Sequence, residues 1–155
     1  LAKFMQNYNL NFQFLIAGPC DPKYLKKINN FINTKKIHNI KLIPTGIKNE
    51  EVRYYYRKCD FAIHISNIFE GLSYSIHEAM LSKCIVISNY SNEIINKDNG
   101  LYYNSINYLK LINEISSIYE NKNKFNNLKN NAHEIIAKNY NKKVYMDKFI
   151  YLINN

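Results

Sequence analysis

The chain has 155 residues, 46% of them hydrophobic and 21% charged, and a formal net charge of +9. That length suits a single domain with a real core, and no apolar run approaches the roughly 18 residues of a membrane span or forms a signal peptide. Cys20, Cys59 and Cys84 are far apart with no C-x-x-C pair, which excludes a disulfide framework or thiolate metal site and reads as reduced thiols in a cytoplasmic protein.

The chain starts at Leu1, inside a helix-like stretch, which reads as a fragment or excised domain. Phe12-Gln13-Phe14-Leu15-Ile16-Ala17 is a buried strand by its apolar run, stopped by Gly18-Pro19. Asp21 caps a helix that has Pro22 in its first position. Tyr24, Leu25, Ile28, Phe31 and Ile32 then recur at helical spacing. Ile40-Lys41-Leu42-Ile43 is a second strand, stopped by Pro44-Thr45-Gly46. Asn49 caps a helix running to about Lys58, with Glu50 and Glu51 in its first turn. Residues 60 to 65 form a third strand. A glycine-serine loop and a helix over 74–82 follow, then a fourth strand, Cys84-Ile85-Val86-Ile87-Ser88. Asp98-Asn99-Gly100 is a turn into a short strand, Leu101-Tyr102-Tyr103. From Ile106 the pattern is helical, with breaks at 121–123 and 139–141.

Strands that alternate with helices and are apolar almost throughout predict an α/β fold. The expectation is one Rossmann-like parallel sheet with helices on both faces across residues 1–155, with a helical C-terminal segment over 105–155. Such sheets bind ligands at the carboxyl ends of their strands. Gly18, Gly46 and the loop from Ser66 to Ser73 fall at those ends.

That loop and the helix after it read Glu70-Gly71-Leu72-Ser73-Tyr74-Ser75-Ile76-His77-Glu78-Ala79-Met80. Small-residue loops and helix N-termini present unpaired N–H groups, which suit a phosphate. Carboxylates flanking such a nest suit hydroxyl-rich parts of a ligand. A nucleotide-sugar has both features. Bland readings stand beside this one. Ser75 to Glu78 has the spacing of a capping box, Ser73 can serve as an N-cap, and Glu70 can be a solvated loop acid. His64 reads as a core histidine within its strand, and His77 as a helix residue facing a neighbour or solvent. Asp60 reads as structural.

Lysine is abundant beside Asn, Ile and Tyr, and Trp is absent. This is the bias of an AT-rich genome, so a solvated basic surface is the first reading of the charge. Attraction to an anionic membrane face is the second. With no zinc finger, basic heptad or aromatic RNP-type motif, nucleic acid is not an expected partner.

The run from Glu70 to Glu78 resembles the E-x7-E motif of family 4 glycosyltransferases, the retaining enzymes of GT-B fold. Four further stretches are similar to that family in order and spacing: Phe14-Leu15-Ile16-Ala17-Gly18, Ile43-Pro44-Thr45-Gly46, Cys59-Asp60-Phe61 with Ser66, and Glu93-Ile94-Ile95 with Asn99-Gly100-Leu101. Together they cover about residues 10 to 103. The resemblance implies the C-terminal, donor-binding domain of an enzyme that moves a sugar from a nucleotide-diphosphate sugar to an acceptor hydroxyl. Family members of this type commonly build bacterial surface polysaccharides or glycolipids.

Roles follow residue by residue from that resemblance. Glu70 would contact the donor sugar and is the catalytic candidate. Gly71, Leu72, Ser73 and Tyr74 would bind the donor diphosphate through backbone N–H groups, with the Ser73 hydroxyl. Glu78 would bind the ribose. Gly46, Ile47, Lys48 and Asn49 match the base-binding loop. No metal or other cofactor is implied, and the chain has no D-x-D pair. A saccharide or lipid-linked acceptor would be held by an N-terminal domain outside these residues. The family's diphosphate-gripping Arg and Lys would also precede Leu1, so the fragment alone is expected to be inactive. Departures are Lys83-Cys84-Ile85 where Gly-x-Pro is usual, Tyr74 for Asn or Leu, and His77 for an aliphatic residue. The rival readings are a nucleotide-sugar 2-epimerase of the same fold and a non-enzymatic, basic α/β binding module.

Overall fold

The computed structural model describes residues 2–7, 11–66, 73–89, 94–103, 108–140, 143, 144 and 146. The chain divides after Val52 into two units. The first holds α1 (Ala2–Asn7), β1 (Phe14–Ala17), α2 (Pro22–Thr34), β2 (Ile40–Ile43) and the start of α3 (Asn49–Lys58). The second holds the rest of α3, then β3 (Phe61–His64), α4 (Tyr74–Leu81), β4 (Ile85–Ser88), β5 (Gly100–Tyr102), α5 (Tyr108–Glu120) and α6 (Lys122–Asn139). Strands and helices alternate as the apolar pattern requires.

In the first unit β1 and β2 pair in parallel, Phe14 opposite Ile40 and Ala17 opposite Ile43. A parallel pair needs a crossover, and α2 supplies it. The Asp21 carboxylate accepts the Lys23 N–H at 2.7 Å, and Pro22 occupies the first turn, where no N–H is needed. The Gln6 side chain ties α1 to the turn after α2, donating to the Lys36 carbonyl at 2.8 Å and accepting the His38 N–H at 3.3 Å.

In the second unit β3, β4 and β5 run parallel in that order. All four residues of β4 are buried. Val86 packs with Ile76, Ala79 and Met80 of α4 and Ala132 and Ile136 of α6. Ile85 and Ile87 point to the opposite face by strand alternation and are equally buried, so β4 is covered on both sides. Before β5, Asn99 accepts the Asn96 N–H and donates to the Ile94 carbonyl. A Cβ on Gly100 would lie 2.7 Å from Ile95 Cγ2 and 2.9 Å from the Val86 carbonyl oxygen, so only glycine lets β5 approach β4 there. Asn121 caps α6 by accepting the Lys124 N–H at 3.0 Å, which accounts for the break at 121. Asp60 is held by Lys129 at 3.2 Å and by the Tyr119 hydroxyl at 3.4 Å, tying α5 and α6 to the start of β3.

The turn from α4 into β4 shows what became of the missing glycine. The Cys84 N–H donates to the Ala79 carbonyl and the Lys83 N–H to the Met80 carbonyl, the paired bonds of a Schellman motif. That motif needs a left-handed residue, and Lys83 supplies it with φ 63°. Lys36 does the same after α2, with φ 50°. The geometry usually given by glycine is therefore kept, at a cost of about 1–2 kcal/mol for each Cβ so placed.

Two predictions follow from this packing. Lys83→Gly raises unfolding free energy by about 0.5–1 kcal/mol in denaturant titration, the relieved strain exceeding the added entropy of the unfolded chain; a loss of stability would show that the turn is not strained. The second concerns Cys84, whose Sγ–H lies 3.0 Å from the Tyr56 carbonyl oxygen. Burial, reinforced by Cys59, pushes its thiol up to about 12 from 9.0, against the opposing pull of Lys129. The folded chain thus keeps a proton that the unfolded chain loses above about pH 9. Its contribution to stability is complete below that pH and declines as pH rises toward 12. At pH 8 a thiol reagent reacts with Cys20 well before Cys84; equal rates in the folded protein would contradict this.

Candidate functional site

Parallel pairing aligns the carboxyl ends of β3, β4 and β5 along one edge. His64, Ser88 and Tyr102 stand side by side there. Just beyond them Asn89 imitates a strand neighbour: its amide accepts the Ser66 N–H at 3.1 Å and donates to the Ser66 carbonyl at 2.7 Å. The N-terminus of α4 lies at this edge, because Ser75 Oγ is 3.4 Å from His64 Nδ1.

Ser73 occupies the N-cap position of α4, with extended backbone at φ −91° and ψ 112°, but its side chain makes no capping bond. Its hydroxyl instead lies 2.8 Å from that of Ser75. Ser73, Ser75 and His64 therefore form a short polar chain from the helix start to the end of β3. Where His64 Nδ1 accepts, both hydroxyl hydrogens point toward the imidazole. Where it donates, the bond between the two hydroxyls can run either way, and with Ser75 as donor the Ser73 O–H is available to a ligand. With no side-chain cap, the first N–H groups of α4 have no acceptor from its own N-cap hydroxyl.

The Ser73 carbonyl accepts from the Ile76 N–H at 3.1 Å, the His77 N–H at 3.3 Å and the His77 ring Nδ1–H at 2.9 Å. The His77 ring also meets Tyr140 edge-on, with centroids 5.1 Å apart. Tyr74, in the first turn, is 84% exposed. Glu78 lies one turn further along the same face, also exposed, and its carboxylate makes no hydrogen bond or ion pair among the described residues. The Tyr56 phenol is held above its ordinary range chiefly by burial and next by the Glu78 carboxylate, so the charge of Glu78 reaches α3.

These positions correct three sequence expectations. Ser75 lies inside the helix, so Ser75 to Glu78 is not a capping box; a helix capped at residue 73 has Ile76 in the position a box would use. His64 is the half-buried last residue of β3, bonded to Ser75, rather than a core histidine. Glu70, Gly71 and Leu72 lie outside the described residues. The expected base-binding residues belong to the first unit. Gly46 turns the chain with φ 81°, its N–H donating to the Ile43 carbonyl at 3.1 Å, and Thr45 bridges to Pro19, so the glycine ends of β1 and β2 meet. Ile47 follows half-buried, and Lys48 and Asn49 are exposed. The Lys48 carbonyl accepts the Val52 N–H, which puts Lys48 rather than Asn49 at the cap of α3. Sequence reading missed Ser75, Asn89 and the ring bond of His77; only the four-residue spacing of His77 from Ser73 signalled the last. Among the described residues no three His, Cys, Asp or Glu side chains gather as metal ligands, and no helix is long and apolar enough to cross a membrane.

Comparison with known proteins gives a family. The model described as glycosyl transferases group 1 matches residues 1–135. Among solved structures, the chain is similar to a glycosyltransferase from Rickettsia africae, at 18% identity and a TM-score of 0.80 over 97% of this chain and 41% of that one. It is similar to the C-terminal domain of the group 1 glycosyl transferase LpcC from Francisella tularensis, at 19% and 0.73 over 89% and 74%. It is also similar to HepE from Anabaena, determined with UDP and glucose, at 16% and 0.72 over 99% and 52%. The chain thus spans about half or less of the longer two. No curated protein matches it by sequence. The likeness to these structures is one of fold, an α/β Rossmann-like C-terminal domain of the GT-B type.

An exposed carboxylate with no hydrogen bond or ion pair among the described residues adds little to folding. Glu78→Gln is expected to change unfolding free energy by less than about 0.5 kcal/mol, measured in denaturant; a loss above about 1 kcal/mol would restore a structural role.

Proposed function

The chain belongs to the glycosyl transferases group 1 family, and from that premise we propose that it is the donor-binding half of a retaining, family 4 enzyme. That enzyme moves a sugar from a nucleotide-diphosphate sugar to an acceptor hydroxyl. The observation that carries this reading is the start of α4: an N-terminus with no side-chain cap at the carboxyl edge of a parallel ladder, with the unpartnered Glu78 carboxylate one turn along. Similar folds determined with UDP and with UDP-glucose support the choice of ligand class.

In this reading the diphosphate rests against the N–H groups of Ser73 and Tyr74, where the partial positive charge of the helix favours an anion. As the sugar–phosphate bond breaks, negative charge grows on the departing phosphate, and the same donors stabilise it more than they did the ground state. Leu72 and Gly71 extend that cradle, and Glu70 orients the sugar ring. Glu78 accepts hydrogen bonds from both ribose hydroxyls. Gly46, Ile47, Lys48 and Asn49 meet the base. Transfer proceeds with retention and needs no metal, the departing phosphate taking the proton of the acceptor hydroxyl attacking on the same face. An acceptor half outside this chain binds a saccharide or lipid-linked acceptor, in surface polysaccharide or glycolipid synthesis at the cytoplasmic side of a membrane. The surplus of lysine suits that anionic surface.

Calorimetry with UDP, GDP and ADP tests the reading, on the chain joined to the preceding half that carries the family's diphosphate-gripping Arg and Lys. One of them is expected to bind, and Glu78→Gln to weaken it about tenfold or more, since hydrogen bonds to a charged acceptor are worth about 1.5–3 kcal/mol. A Gln variant that binds as tightly as wild type removes Glu78 from the ribose site.

A further inference from the structure

The reading above gives the α4 N-terminus its ligand; the His77 ring concerns how the turn is aimed. Three donors converge on the Ser73 carbonyl, and one of them is the His77 ring at 2.9 Å. That carbonyl shares a planar trans peptide with the Tyr74 N–H, so the two point in opposite directions. Holding the carbonyl along the helix therefore holds the Tyr74 N–H outward from the helix start. A carbonyl can only accept, so the hydrogen of the ring sits on Nδ1. Nε2 is left buried with no hydrogen-bond partner among the described residues. An aliphatic or phenyl side chain would fill the same space against Tyr140 without burying an unpaired nitrogen. The imidazole is thus a poor choice for packing and a good one for fixing a peptide.

Resting on the donor-site reading, we propose that His77 is a positioning residue for the donor diphosphate: through the Ser73 carbonyl it aims the Tyr74 N–H at a phosphate oxygen. It touches no substrate atom itself.

His77→Phe separates aiming from packing, because it keeps the ring against Tyr140 and removes only the donor and the orphan nitrogen. The probe is whichever of UDP, GDP or ADP the wild-type chain binds, alongside the matching nucleoside, which has no phosphate to seat. The variant is expected to melt at or above the wild-type temperature and to bind the nucleoside unchanged. Its affinity for the diphosphate falls about five- to tenfold, the worth of one hydrogen bond. His77→Asn, whose amide can donate to the same carbonyl, regains most of that affinity. Undiminished diphosphate binding by His77→Phe overturns the inference alone, as does an equal loss for nucleoside and diphosphate. Wild-type protein that binds none of the three diphosphates even when joined to the preceding half overturns the donor-site reading and this inference with it.

Discussion

The second unit depends on the burial of β4 on both faces. A strand so placed must find every backbone partner in its neighbours, and β3 and β5 provide them in parallel. Parallel neighbours cannot be joined by a tight turn, so the chain between β3 and β4 must return along the sheet, and α4 makes that return. Its N-terminus then falls at the carboxyl edge of the strands whatever residues stand there. The site is a geometric consequence of covering β4; the residues at the edge decide what it binds.

Those residues converge on Ser73. Its hydroxyl joins Ser75 and, through it, His64, while its carbonyl gathers three donors. One residue therefore has its hydroxyl and its carbonyl fixed from different sides, one by the strand end and one by its own helix. A turn held this way would lose little further freedom on meeting a ligand, as the proposed donor site requires.

Much of this was legible in the sequence because apolar runs and caps are local signals. Each apolar run became a strand with its ends moved by no more than two residues: 12–17 became Phe14–Ala17, half-buried to exposed rather than buried, 40–43 was unchanged, and 60–65 became Phe61–His64. Asp21 caps α2 as read, the break at 121 is the cap Asn121, and the expected cap Asn49 gave way to Lys48. What was not legible depended on distance along the chain or on a choice between equals. Asn89 reaches back to Ser66, and no local pattern announces such a clasp. Ser73 and Ser75 are equally good caps on paper; the packing of Ile76, Ala79 and Met80 sets the helix phase and makes Ser73 the boundary. The family resemblance named Glu78 for a ligand, and the shift of that boundary removed its structural rival. Lys83-Cys84-Ile85 looked like a broken glycine turn because composition does not reveal that a lysine has accepted positive φ.

That last feature bears on how the chain has evolved. Lys36 and Lys83 each stand in a left-handed turn that glycine would occupy with less strain. The lysine-rich, glycine-poor composition puts lysine even where the backbone favours glycine. Both sit exposed in their turns, where the strain weighs on stability. They are also sites where back-mutation could compensate for damage elsewhere, leaving residues at the α4 N-terminus freer to vary than the margin of stability would otherwise permit.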